Sequence, residues 1–259
     1  MYTIGMITTN HPKRFKILEK AINSIEKLEN KEIRKILSVD EFPQFRTNKE
    51  FFDKFSKTGW EVFFKKHTGR NSMVTNQLNL LNKTNTEWIL YCEDDITFKE
   101  IPPFTILEKI LTKENGFLSL TGHVHEFPSS ETLEYSRNKK NYIDIGEYQI
   151  LKKDPSVFQT KWFLNFPSCF IRKDHLIDVL RYSSNRFAGS SYSIEEGLSY
   201  AWFENNMHLK FNSYILLKGL DLSSEDILKE IHKKTILNYW NNDITTQVPP
   251  VNDKESMWF

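Results

Sequence analysis

Two rhythms of apolar and polar positions alternate along the chain. Residues 2–10, YTIGMITTN, are a β-rich apolar run ending in polar turn residues, which predicts a strand. His11-Pro12 breaks the run. Phe15, Leu18, Ala21, Ile22, Ile25 and Leu28 then recur at three and four residues, predicting an amphipathic helix with a proline-assisted start. IRKILSVDEF (33–42) reads as a second strand closing in Asp40 and Glu41, and WEVFFKK (60–66) as a third. Met73, Leu78 and Leu81 place a helix from about Ser72, and Trp88–Cys92 is a fourth strand that runs into Glu93, Asp94 and Asp95. Strands alternating with helical connections predict a mostly parallel α/β sheet, in which ligands bind at the carboxyl ends of the strands. Thr8, Asn10, Asp40 and Glu93–Asp95 all fall at such ends.

The second half is less regular. GFLSLTG (116–122) reads as a strand, whereas 126–160 is polar and carries Arg137, Lys139, Lys140, Lys152 and Lys153, as a long loop or flap would. WFLNFPSCFIRKDHLIDVL (162–180) reads as a strand entering a helix, SIEEGLSYAWFENN (193–206) as a helix with two carboxylates at its start, and HLKFNSYILL (208–217) as a strand. A C-terminal helix is expected over 223–240, capped by Ser223 or Ser224, before a tail at 241–259. This gives a single domain over 1–240: a ligand-binding half at 1–100, a second half at 101–222 with an inserted loop at 123–160, and the final helix.

The chain has 259 residues, enough for one large core, and its 35 Lys and Arg nearly balance 34 Asp and Glu. Global charge therefore gives no argument for nucleic acid or membrane. No run approaches the roughly 20 apolar residues of a membrane span, no signal-peptide pattern opens the chain, and Cys92 and Cys169 sit in apolar surroundings as reduced thiols would. A soluble, cytoplasmic protein is expected. Twenty Phe, 10 Tyr and 6 Trp supply rings for the core and for stacking on bases or sugars.

Three adjacent carboxylates at a strand end repel one another and lose hydration, so something positive is expected beside them. A divalent cation would serve. Carboxylate oxygens suit Mg²⁺ or Mn²⁺, and the chain has no Cys/His spacing for zinc.

In order and spacing these segments resemble the nucleotide-sugar-dependent glycosyltransferases of GT-A fold, family 2 most closely. IGMITTNHPKRFKILEKAINSI resembles their opening strand, turn and helix; ILSVDEF their second strand; HTGRNSMVTNQLNLL the segment before the metal strand; and YCEDDITF their Asp-x-Asp (DXD) motif, with Glu in the first acidic position. The resemblance covers 1–100 well and 162–218 more weakly. It implies a Rossmann-like mixed sheet flanked by helices, and a hexosyl- or pentosyltransferase that moves a sugar to an acceptor hydroxyl with inversion. On it, Asp95 is the direct ligand of Mn²⁺ or Mg²⁺, with Glu93 and Asp94 orienting metal, ribose or sugar. Thr8, Asn10 and Asp40 line the base and ribose site, and Arg70 approaches the phosphates or the donor sugar. The acidic pair that supplies the base falls on Glu195 and Glu196, with Glu196 as base, although the family usually has Asp there. Trp162, Asn165 and Ser168 fall on the acceptor side. His208 and His232 do not fall where the family places a metal histidine, and His123 and His125 have only their spacing.

The donor favoured by this resemblance is a UDP-sugar, and the acceptor stays open among glycan, lipid-linked sugar, protein and modified DNA base. A nucleotidyltransferase would need a Gly-rich loop after the first strand, which TTNHPKR is not. A non-catalytic nucleotide- or carbohydrate-binding protein of the same fold is the other alternative.

Overall fold

The computed structural model describes residues 2–27, 33–69, 72–120, 129–158, 168–186, 194–234 and 237–238. Its strands are β1 (Tyr2–Thr9), β2 (Lys35–Glu41), β3 (Trp60–Lys66), β4 (Trp88–Glu93), β5 (Thr97–Phe98), β6 (Asn115–Ser119), β7 (Tyr142–Ile145), β8 (Tyr148–Lys152), β9 (Ser168–Arg172), β10 (Asn212–Lys218) and β11 (Leu237–Asn238). The helices are α1 (Phe15–Glu26), α2 (Lys49–Lys57), α3 (Ser72–Lys83), α4 (Phe104–Ile110), α5 (Ser130–Arg137), α6 (Lys173–Arg186), α7 (Ile194–Glu204), α8 (Met207–Lys210) and α9 (Ile227–Lys233).

Among the described residues, nine strands form one sheet in the order β3-β2-β1-β4-β9-β6-β10-β8-β7, and β5 pairs separately with β11. β1 to β4 are mutually parallel, β6 and β10 are parallel to each other, and β9 and β8 run antiparallel to their neighbours. The expected mixed, mostly parallel α/β sheet is thus observed. The first three strands step outward, and β4 returns to the other side of β1. Their connections therefore cover opposite faces: α1 and α2 supply Leu18, Ile22, Phe52 and Phe55 to one core, α3 supplies Leu80 and Leu81 to the other. Strand order reverses between β1 and β4, and it is at the carboxyl ends of the strands beside such a reversal that α/β sheets bind ligands.

The strand sequences explain their double burial. In β1, Tyr2, Ile4 and Met6 join the first core and Ile7 the second; in β4, Trp88, Leu90 and Cys92 face the first and Ile89 and Tyr91 the second. A sheet covered on both faces needs such near-continuous apolar runs.

Residues 129–158, read from their polarity as loop, contain regular structure. α5 is followed by the β7–β8 hairpin, turned by two residues with Gly146 at φ 70, and β8 adds antiparallel to β10. Polarity misleads there because β7 is an edge: Tyr142 and Ile145 are buried while Ile143 and Asp144 face outward. The opposite edge is β3, which ends in exposed Lys66. The C-terminal helix is shorter than expected and is capped by Asp226, which accepts from the Lys229 N–H at 3.0 Å. Ser223 instead donates to Asp221.

At Gly116, on β6, an added methyl would stand 2.9 Å from Phe211 Cβ, 2.9 Å from Trp202 Cη2 and 3.2 Å from His175 Nδ1. None of these is the free end of a flexible chain. Gly116→Ala is expected to lower stability by about 1–3 kcal/mol, read from urea denaturation midpoints.

Candidate active site at the β1–β4 switch point

Register brings the site together. Thr9 stands opposite Asp40 across β1–β2, Ile7 opposite Glu93 across β1–β4, and Cys92 opposite Ser168 across β4–β9. With neighbouring strands about 4.8 Å apart, the ends carrying Asp40, Thr8, Glu93 and Ser168 share one rim.

Asp94, only 4% exposed, lies in the turn after β4. The Thr8 hydroxyl donates to its Oδ2 at 2.5 Å. Arg14, from the 3₁₀ turn Pro12–Arg14, donates Nε–H to the same oxygen at 3.2 Å and Nη2–H to Oδ1. Arg14 Nη2 is also 3.5 Å from Asp95 Oδ2. The positive group expected beside the carboxylates is therefore, in part, this guanidinium. Burial works against the Arg14 charge, but Asp94, Asp95 and Glu93 more than offset it and hold its pKa above the usual arginine value. The Asp95 pKa is raised as well, which for a carboxylate disfavours the charged form: burial and the Asp94 charge raise it, and Arg14 only partly opposes them.

On the β2 side, Asp40 accepts from Ser72 Oγ–H at 2.9 Å and lies 2.9 Å from His67 Nδ1. His67 stacks on Phe42, with ring centroids 3.8 Å apart. Asn10 serves as a latch. Its amide donates to the carbonyls of Phe42 at 3.2 Å and Phe45 at 2.9 Å, and its Oδ1 accepts from the Phe42 N–H at 2.9 Å. Thr8, Asn10, Asp40, Glu93, Asp94, Asp95 and Ser168 are thus gathered on one rim, and Ser168 is fully buried.

Glu195 and Glu196 occupy the first turn of α7. Trp202, further along that helix, lies by Gly116 near the amino end of β6. The acidic turn is about 9 Å along the helix axis from that position. Arg70, Trp162, Asn165, His123 and His125 lie outside the described residues, as do the side chains of Glu195, Glu196 and His232. His208 sits on α8, ahead of β10, stacked on Phe203 at 4.5 Å.

Among the described residues no group of three or more His, Cys, Asp and Glu could hold a metal ion alone. Asp94 is engaged by both Thr8 and Arg14, and Asp95 lies 3.5 Å from Arg14, so any ion here would share Asp95 and Glu93 with that guanidinium. Magnesium-type ions are commonly held by one or two carboxylates together with substrate phosphates, and this donor set fits that arrangement rather than a protein cage.

Arg14, His67 and Ser72 escaped the sequence reading. Their partners lie 80, 27 and 32 residues away, and only the β1–β2–β4 register brings them together. Lys153 was read as part of a basic loop. It is instead 2% exposed, with its ammonium 5.3 Å from the Phe117 ring centroid.

The sequence matches no protein-family model and no curated protein. Among solved structures, the chain is similar over 82% of its length to S. aureus TarS 1-349, at 12% identity and TM-score 0.49, and to the same protein in complex with UDP at TM-score 0.46. The apo-form glycosyltransferase GlyE of Streptococcus pneumoniae TIGR4 gives 12% identity and TM-score 0.47, again over 82% of this chain. This chain spans 60% of the two TarS chains and 45% of GlyE.

Asn10, on the rim, and Lys153, whose N–H bonds the amino end of β10, each carry a testable consequence. Asn10→Ala is expected to cost about 1–3 kcal/mol and to speed hydrogen exchange at the Phe42 amide. Burial lowers the Lys153 pKa from 10.5 to about 7. Between those values the unfolded chain holds more protons than the folded one, so this lysine's penalty is full below about pH 7 and fades as pH rises toward 10.5. Lys153→Met is therefore expected to be more stable than the parent by about 2–4 kcal/mol at pH 6, with the gap closing by pH 10 in urea denaturation.

Proposed function

We propose that this protein is a glycosyltransferase that moves a hexosyl or pentosyl group from a nucleotide-sugar donor, a UDP-sugar by preference, to an acceptor hydroxyl with inversion. The observation that carries this reading is the convergence of Thr8, Asn10, Asp40 and the Glu93–Asp95 carboxylates on one rim at a strand-order reversal, where α/β sheets bind nucleotides. In this reading the base and ribose lie toward Asp40 and His67, and the diphosphate lies over the end of β4. Asp95 and Glu93 hold Mn²⁺ or Mg²⁺, with Arg70 near the phosphates. When bound, the ion neutralises charge developing on the departing diphosphate.

Glu196 takes the proton of the acceptor hydroxyl, and Glu195 beside it orients the acceptor. The acceptor oxygen forms a bond to the anomeric carbon as the bond from that carbon to the diphosphate oxygen breaks, and the nucleoside diphosphate leaves with that electron pair. Trp162, Asn165 and Ser168 form the acceptor side.

A second reading is a non-catalytic nucleotide-binding protein of this fold. It is favoured by the internal hydrogen bonding of Asp40 and Asp94, which suits a finished structural role as well as a catalytic one.

A thermal-shift panel of UDP, GDP, dTDP and CMP with Mn²⁺ or EDTA separates these readings when combined with a transfer assay. At 100 times its dissociation constant a ligand should raise the midpoint by roughly 5–10 °C. Asp95→Ala is expected to lose the Mn²⁺-dependent part of that shift. Glu196→Gln should keep the shift and lose transfer by about a hundredfold or more. Full transfer by Glu196→Gln would remove it as the base, and nucleotide binding without transfer in the parent would favour the second reading.

A further inference from the structure

The turn that carries Arg14 is held on several sides. The Arg14 N–H donates to the His11 carbonyl at 2.9 Å, His11 Nδ1 accepts from the Lys13 N–H at 3.1 Å, and the His11 ring lies against Phe45 at 4.4 Å. Phe45 is in turn fixed through its carbonyl by Asn10. Arg14 is thus delivered to the carboxylates by pinned backbone, and its guanidinium forks both oxygens of Asp94 while reaching toward Asp95. A cation resting on Asp95 would have this fixed positive charge within a few ångströms, in a partly buried setting where like charges repel strongly.

We propose that Arg14 is a tethered counter-ion that competes with the divalent cation for the Glu93–Asp95 carboxylates, so that the ion loads only together with the donor's diphosphate. The inference rests on the ion-binding reading given above. It makes Arg14 a positioning residue that sets the order of loading. Without nucleotide, the guanidinium supplies the positive charge that the carboxylates need, and an added divalent ion meets repulsion. A nucleoside diphosphate brings negative charge that balances Arg14 and ion together, so ion and nucleotide bind cooperatively.

The test uses the full chain and Mn²⁺ alone, with free Mn²⁺ followed by electron paramagnetic resonance, and UDP binding followed by calorimetry with and without Mn²⁺. The parent is expected to bind Mn²⁺ weakly by itself and UDP more tightly when Mn²⁺ is present. Arg14→Gln is expected to bind Mn²⁺ alone about tenfold or more tightly than the parent, because the competing charge is gone. An Arg14→Gln protein that binds Mn²⁺ alone no better than the parent, while UDP binding stays Mn²⁺-dependent, would overturn the proposal and leave the ion-binding reading standing. If parent and variant both ignore Mn²⁺ even with UDP present, the ion-binding reading itself fails and this proposal with it. Removing Arg14 strips a buried carboxylate of its partner, so where Arg14→Gln does not fold, the parent itself carries the test. Its Mn²⁺ affinity is expected to rise about tenfold or more when UDP is present; equal affinity with and without UDP overturns the proposal.

Discussion

The Arg14–Asp94 pair joins the two loops that leave β1 and β4 at the strand-order reversal. Asp94 is nearly inaccessible to water, and a carboxylate in that position is tolerated only with a partner that restores what hydration supplied. Thr8 and Arg14 together restore it. Because both come from the end of β1 and the turn beyond it, the same bonds that satisfy Asp94 also tie the carboxyl end of β1 to the turn after β4. Asp95 then sits in a turn whose neighbour is already anchored, with Glu93 at the end of β4, and the β1–β2 register brings Asp40 to the same rim.

A second polar cluster performs the same service on the β2 side. Asn10 binds the 42–47 segment by both its amide and its carbonyl, and Asp40 is bracketed by Ser72 at the start of α3 and His67 at the end of β3. The rim is therefore lined by side chains that hydrogen-bond across strands. Such networks are costly if half satisfied and rigid when complete. Pre-set side chains of this kind reduce the ordering cost that a flexible nucleotide would otherwise impose on its binding site.

Much of this was legible in the sequence where the signal is local. The apolar runs of β1 to β4, the helical period after Pro12, the start of α3 at Ser72 and the three carboxylates at a strand end are all properties of contiguous residues, and the structure places them as read. What was not legible depends on distance along the chain. Arg14 looked like one of several basic residues in a helix start, and nothing within ten residues says that it turns back onto β4. α2 was missed because a nine-residue helix burying only Phe52 and Phe55 has too little periodicity to stand out. The β7–β8 hairpin escaped for a different reason: its strands are short, and Asp144, Gly146, Gln149 and Lys152 interrupt their apolar runs within a polar stretch.

The composition of the sheet's two edges bears on how this protein behaves when crowded. An unpaired strand edge is a template for another chain's backbone, and long flat apolar edges invite fibrous growth. Here β7 offers four residues with Asp144 outward beside Ile143, which is 49% exposed, and β3 ends in Lys65 and Lys66. A foreign strand docking at either edge would have to dehydrate a charge to gain a short ladder of hydrogen bonds. The nine-stranded sheet is thereby discouraged from lengthening itself through its neighbours, even though nearly every one of its central strands would be aggregation-prone if exposed.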